Sequence, residues 1–162
     1  MNPQEQVVAH LRRLEADHEI VPCDPALADT AAFCEAYGYS PDDSANTIIV
    51  VGKGDTPRPV ACVVLASTRL DVNGVVRKRL EVRKASFASA DETMELTGME
   101  IGGVTAFALP DGLPIWVDAA VMARQRIILG GGSRSIKVLT PPSTLTKLDG
   151  VTVIDGLARA RE

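Results

Sequence analysis

"NTIIVVGKGDTPRPVACVVLAS", residues 46–67, places two apolar runs on either side of a loop that contains glycine and proline. The first run is rich in β-branched residues, which suit extended backbone, and glycines close it. The second, "PVACVVLAS", begins after "GDTPR", a loop of turn formers. The stretch therefore reads as a β-hairpin, and the elements around it decide what kind of sheet it belongs to.

Upstream, Asn2, Pro3 and Glu5 form a helix start, with a capping side chain, a proline at the first helical position and a carboxylate at the third. Val7, Val8, Leu11 and Leu14 recur at helical spacing, which predicts an amphipathic helix over residues 3–17. "EIVPC" is a short strand. Thr30 can cap a second helix over 31–37 that Gly38 ends in the left-handed conformation, placing Cys34 on that helix as core filling.

Downstream, Asp71 can cap a helix through Leu80, "KASFA" reads as a strand, and Ser89 with Glu92 makes a capping box for a helix ending at Gly98. "PIWVD", "RIILG" and "SIKVL" are three further strands. Thr140 and Pro141 start a last helix that ends near Gly150, "VTVID" adds an edge strand, and the tail "LARARE" frays. Six to eight strands and five helices, irregularly interleaved with hairpins as well as crossovers, give a mixed α/β (α+β) fold, not a strict doubly wound sheet. Residues 1–162 read as a single domain, since no linker, repeat or low-complexity segment interrupts them.

Bulk composition narrows the function. Hydrophobic residues make up 46% and charged residues 23%, and no apolar run approaches the roughly 20 residues of a membrane helix. The start lacks a secretory signal, and three cysteines without a CxxC pair fit a reducing cytoplasm. A net charge of −4 argues against gripping nucleic acid through the overall field. The local exception is "VRKRLEVRK", where Arg77, Lys78, Arg79, Arg83 and Lys84 have only Glu81 to offset them; a solvated helix end is the alternative.

The familiar catalytic constellations are missing. His10 and His18 are the only histidines and neither lies in a metal-ligand spacing. There is no GxSxG elbow. "GKGDTP" lacks the third glycine and following helix of a dinucleotide loop, and "GGGSRSIK" lacks the Walker ending. Glycine is what remains in excess, at Gly102 and Gly103 in "IGGVTAFALP" (101–110) and at Gly130, Gly131 and Gly132. Two readings stay open: tight turns at strand ends, or backbone N–H groups lining a pocket where negative charge develops.

These segments resemble the YbaK/EbsC-type aminoacyl-tRNA deacylases, also found as the editing insertion of bacterial prolyl-tRNA synthetases. The likeness runs from about residue 30 to 150 through "SANTIIVVGK", "RLD", "SADETMELTGMEIGGVTAFALP", "PIWVDAAVM", "RIILGGGSRSIKV" and the proline-led last helix. It implies a mixed, largely antiparallel β-barrel-like sheet surrounded by helices, and hydrolysis of the ester joining a wrong amino acid to a tRNA acceptor end. It implies no metal and no cofactor, with backbone groups and water or the substrate's ribose hydroxyl doing the chemistry. The partners it implies are the aminoacyl-tRNA and an aminoacyl-tRNA synthetase.

By the same resemblance Gly102 through Ala106 is the family's GxxxP loop, and the pocket takes small side chains such as alanine, cysteine, proline, serine or threonine. The expected catalytic positions are Asn46, Gly102 and Gly103. The expected walls are Val104, Thr105, Ala106, Phe107, Asp118, Gly131, Gly132 and Ser133. Asp118 reads alternatively as a helix cap, and Ser133 with Arg134 as a hairpin closure.

The chain departs from the family pattern twice. Asn46 stands where the family has a lysine, a change worth about 1 to 2 kcal/mol if a charged hydrogen bond becomes a neutral one. Ala106 stands where the loop proline belongs, which relaxes a fixed φ. Lys53 lies an odd number of residues from Asn46 and faces the other side of an unbroken strand. The two departures motivate a second reading, a non-catalytic module of the same fold that holds tRNA ends or a synthetase.

Overall fold

The computed structural model describes residues 1–161. Asn2 accepts a hydrogen bond from the Glu5 N–H at 2.8 Å and opens α1 (Pro3–Arg13). The helix stops four residues short of the expected end. Glu15 turns left-handed at φ 52°, and the Ala16 N–H returns to the Leu11 carbonyl, closing the helix without a glycine. After β1 (Glu19–Pro22) comes α2 (Thr30–Tyr37), ended as expected by Gly38 at φ 77°. Its N-cap position falls on Asp29; the Thr30 hydroxyl instead donates to Asn46 Oδ1. The hairpin forms as β2 (Ala45–Lys53) and β3 (Arg58–Leu65), with Asn46 opposite Val64 and Gly52 opposite Arg58.

Then follow β4 (Thr68–Leu70), a π-helical turn at Val72–Val76 that runs into α3 (Arg77–Leu80), and β5 (Lys84–Phe87). The reciprocal Ser89–Glu92 capping box opens α4 (Ala90–Thr97). The rest is β6 (Ile115–Asp118), α5 (Ala119–Met122), β7 (Ile127–Gly130), β8 (Ile136–Thr140), β9 (Val151–Ile154) and β10 (Ala158–Ala160).

Two expectations for this half need correction. The helix expected from Thr140 is only a 3-10 turn at Pro142–Lys147, because Thr140 still belongs to β8 and its hydroxyl bonds the Asp17 carbonyl and Thr144. The expected frayed tail is β10, antiparallel to β4, with Leu157 fully buried before it; Glu162 lies outside the described residues.

The hairpin sits in a five-stranded sheet ordered β5-β2-β3-β6-β9, in which β6 runs parallel to β3 and to β9, and β9 takes the expected edge. A second sheet is β1-β8-β7, all antiparallel, and the third is the β10-β4 pair. The architecture is mixed and mostly antiparallel as expected, but the sheets do not close into a barrel: among the described residues, the one bridge between the two larger sheets is the isolated parallel pair of Ser44, just before β2, with Ile128 of β7.

Alternation along β2 and β3 explains why the central sheet is covered on both faces. Ile49, Ala61, Val63 and Leu65 pack with α1, Phe107 and Leu129, while Val50, Val60, Cys62 and Val64 pack with Leu70, Val76, Leu80 and Leu157. No helix among the described residues is long and apolar enough to cross a membrane.

Candidate active site

Where the start of β2 meets the 101–104 loop and the end of β7, the chain leaves a cavity of about 240 Å³. Asn46, Gly102 and Val104 all line it, together with Ile48, Ile49, Ala88, Thr93, Gly130 and Lys137. Strand and loop positions more than 50 residues apart in sequence thus share one wall, and the volume lies below the range usual for drug-sized ligands.

Three features give the cavity polar groups. Asn46 accepts from the Thr30 hydroxyl at 2.7 Å, and its amide N–H₂ has no acceptor among the described residues. Gly102, at φ 93°, occupies backbone that suits glycine, and a Cβ there would collide with the Arg134 guanidinium. The N–H groups of Gly102 and Val104 likewise have no acceptor among the described residues, whereas that of Gly103 donates to the Glu100 carbonyl at 2.9 Å.

The third feature is Lys137, which the reading of the sequence passed over as one strand residue in "SIKVL". It lies on the central strand of β1-β8-β7, opposite Gly130, whose missing side chain lets the Val104 carbonyl come close. Its ammonium donates to the carbonyls of Ala28 at 2.6 Å and Gly102 at 2.9 Å and stands 5.4 Å from the Phe33 ring centre, within cation–π range. Only 7% of the residue is exposed, and burial holds its pKa below the ordinary lysine value. Two of its three N–H groups are used, and no carboxylate among the described residues forms a salt bridge with it. The legible signal was a lysine flanked by apolar residues on both sides five positions after a triple glycine.

Arg134 fixes the loop from outside. It donates to the Pro25 and Ile101 carbonyls and to Asp29 Oδ1 at 3.0 Å, so the one carboxylate that lines the cavity among the described residues is already engaged.

Several expected wall residues lie elsewhere. Thr105 and Phe107 are fully buried in the core, with the Phe107 ring edge-on to His10. Ala106 borders a separate cleft with His10, Leu109 and Asp149. Gly131 and Gly132 are needed for close approach, the first to Ile136 and the second to Pro3 and Val7 of α1. The Ser133 hydroxyl donates to Gln4 at 2.6 Å, tying that turn to α1. Asp118 is buried at the start of α5, facing the backbone N–H groups of Leu157, Ala158, Ala119 and Ala120; they offset part of the rise that burial gives its pKa, though no side-chain cap bond closes.

His10 acts on the site from behind. Its Nδ1 accepts the Ala108 N–H at 2.8 Å, holding the far end of the 101–110 loop, and burial lowers its pKa. The three cysteines are free and buried, with thiol pKa values raised by burial, for Cys62 to about 12.

The chain belongs to the aminoacyl-tRNA editing domain family, whose model matches residues 24–148. A curated relative, the uncharacterized protein YwhH of Bacillus subtilis (strain 168), is 23% identical over 141 residues, 87% of each chain. Among solved structures, hypothetical protein APE2540 superposes with a TM-score of 0.83 at 24% identity, covering 95% of this chain and 99% of its own. A structure described as "a putative trans-editing enzyme for prolyl tRNA synthetase" gives 0.81 at 21% identity, covering 99% of both. These likenesses establish the fold.

Proposed function

We propose that this chain is a stand-alone deacylase of mischarged aminoacyl-tRNA, working in the cytoplasm on small amino acids that a synthetase has attached in error. The observation that carries the reading is that Asn46, Gly102, Val104 and the buried residue Lys137 line one small cavity. The aminoacyl group enters against Ile48, Ile49 and Val104. Its ester carbonyl lies toward the N–H groups of Gly102 and Val104 and the Asn46 amide.

Attack by water on that carbonyl carbon forms a tetrahedral oxyanion. Collapse breaks the ester C–O bond, and the ribose oxygen leaves with the proton the water gives up. Donors already fixed in place stabilise the oxyanion without reorganising, which is where most of the rate enhancement arises in such sites. No free carboxylate or histidine lines the cavity among the described residues, so the proton passes by way of water or the neighbouring ribose hydroxyl.

Lys137 gives the site the positive charge that the resemblance places at the position of Asn46. Its bonds to the Gly102 and Ala28 carbonyls fix the peptide that presents the donors, and its third N–H is left for the substrate. The test is deacylation of alanyl-, cysteinyl-, prolyl-, seryl- and threonyl-tRNA by the purified protein. Turnover of one or more supports the reading. No turnover with intact tRNA binding supports the non-catalytic module instead.

A further inference from the structure

Two grooves adjoin β5 on the far side of the cavity. One is lined by Lys53, Arg77, Arg83 and Lys84. The other is lined by Arg69, Arg159 and Arg161, and the two share Asn73. They hold seven of the chain's 17 lysine and arginine residues but only one of its 21 carboxylates, in a chain of net charge −4. That carboxylate, Asp71, accepts from Arg159 and from the Gly74 N–H; none of the other six cations forms a salt bridge among the described residues. At the second groove stands Phe87, 56% exposed, an aromatic ring with no structural need to face solvent. The next residue, Ala88, lines the cavity from the other face of the sheet, since Phe87 lies opposite Val50 while Ala88 packs on the Ile49 side, so only the edge of β5 separates the ring from the cavity.

We propose that these grooves and Phe87 form the docking face for the 3′ arm of an RNA substrate. Its phosphates lie along the two cation rows and an unpaired base of the single-stranded end stacks on Phe87, from where the strand passes around the edge of β5 and brings the aminoacyl group to the cavity. The inference rests on the deacylase reading. A row of unpaired cations suits phosphates, and an exposed ring among them suits a base, because stacking accepts any base while the charges follow the backbone. The free edge of β5 between the ring and the cavity leaves a path for a strand end.

The test is binding of an uncharged RNA hairpin with a 3′ single-stranded CCA end, measured against salt concentration. Phe87→Ala should weaken binding by about five- to 150-fold, the range for losing one base–aromatic stack. The pair Arg69→Gln and Lys84→Gln should lower the log–log salt slope by about 1.4 to 1.8, one phosphate contact each. Melting midpoints equal to wild type show that the variants fold. Wild-type affinity and slope in all variants, or binding to vesicles of anionic lipid in preference to RNA, would overturn the docking face. RNA binding that responds as expected without hydrolysis of any charged tRNA would leave the docking face standing and sink the deacylase reading.

Discussion

Lys137→Met isolates the buried charge on which the proposed mechanism relies. Methionine keeps an unbranched apolar stem beside Phe33 and removes the ammonium from the Ala28 and Gly102 carbonyls. Two effects on stability oppose each other. The buried Ala28 carbonyl and the partly buried Gly102 carbonyl lose their donor, at about 1 to 3 kcal/mol each where water does not replace it. A cation buried without a salt-bridging carboxylate no longer has to be desolvated, which recovers several kcal/mol. The net shift in unfolding free energy should stay within about 2 kcal/mol.

Rate has no such compensation. Removing one preorganised donor from a developing oxyanion costs about 100- to 1,000-fold in kcat. The assay is single-turnover hydrolysis of the preferred aminoacyl-tRNA at neutral pH, with spontaneous hydrolysis measured in parallel. Lys137→Gln, which retains an N–H₂ to bond a carbonyl, should be equally well folded and also slow. Folded Lys137→Met hydrolysing within threefold of wild type would refute the assignment of charge to this residue.

Asn46→Lys should bring no gain in rate, because a second ammonium enters a cavity that already holds one; acceleration of tenfold or more in the same assay would show that Lys137 leaves the family position unfilled. Gly102→Ala should lower stability by about 1 to 2 kcal/mol from the left-handed backbone, with Arg134 displaced and hydrolysis abolished; urea unfolding and turnover together check it. His10 contributes a pH dependence. Its folded-state pKa lies below the ordinary 6.5, so the unfolded chain binds more protons in between. Its stability contribution is complete above about 6.5 and is lost as pH falls through the lower folded value. Thermal melts from pH 8 to 5 should show this loss in wild type and less of it in His10→Gln; superimposable curves would refute the role of the Ala108 N–H bond.

The elements that proved legible in the sequence were those fixed by local chemistry. β-branched runs with turn formers between them gave the hairpin, and the Ser89–Glu92 box and Gly38 gave helix ends, because each signal is complete within a few residues. The misread elements depend on distant partners. β10 is a strand because β4 waits 88 residues upstream of it, and Thr140 stays in β8 because Asp17 accepts its hydroxyl.

The same division runs through the site. The resemblance picked out Asn46 and Gly102, which do meet at the cavity, but it carried Phe107, Ala106 and Ser133 along with the loop, and the alternation of loop and core turns them away. Lys137 stayed hidden because its local mark, apolar neighbours after a triple glycine, also suits a lysine on an exposed strand, whereas it sits on the central strand of three, drawn inward by the carbonyls of Ala28 and Gly102.

The most direct measurement is the rate at which the wild-type protein deacylates tRNA charged with each of the five small amino acids, alongside its affinity for the same tRNAs. The account predicts hydrolysis above the spontaneous rate for at least one, lost in Gly102→Ala. Tight binding with no hydrolysis of any of the five would contradict it.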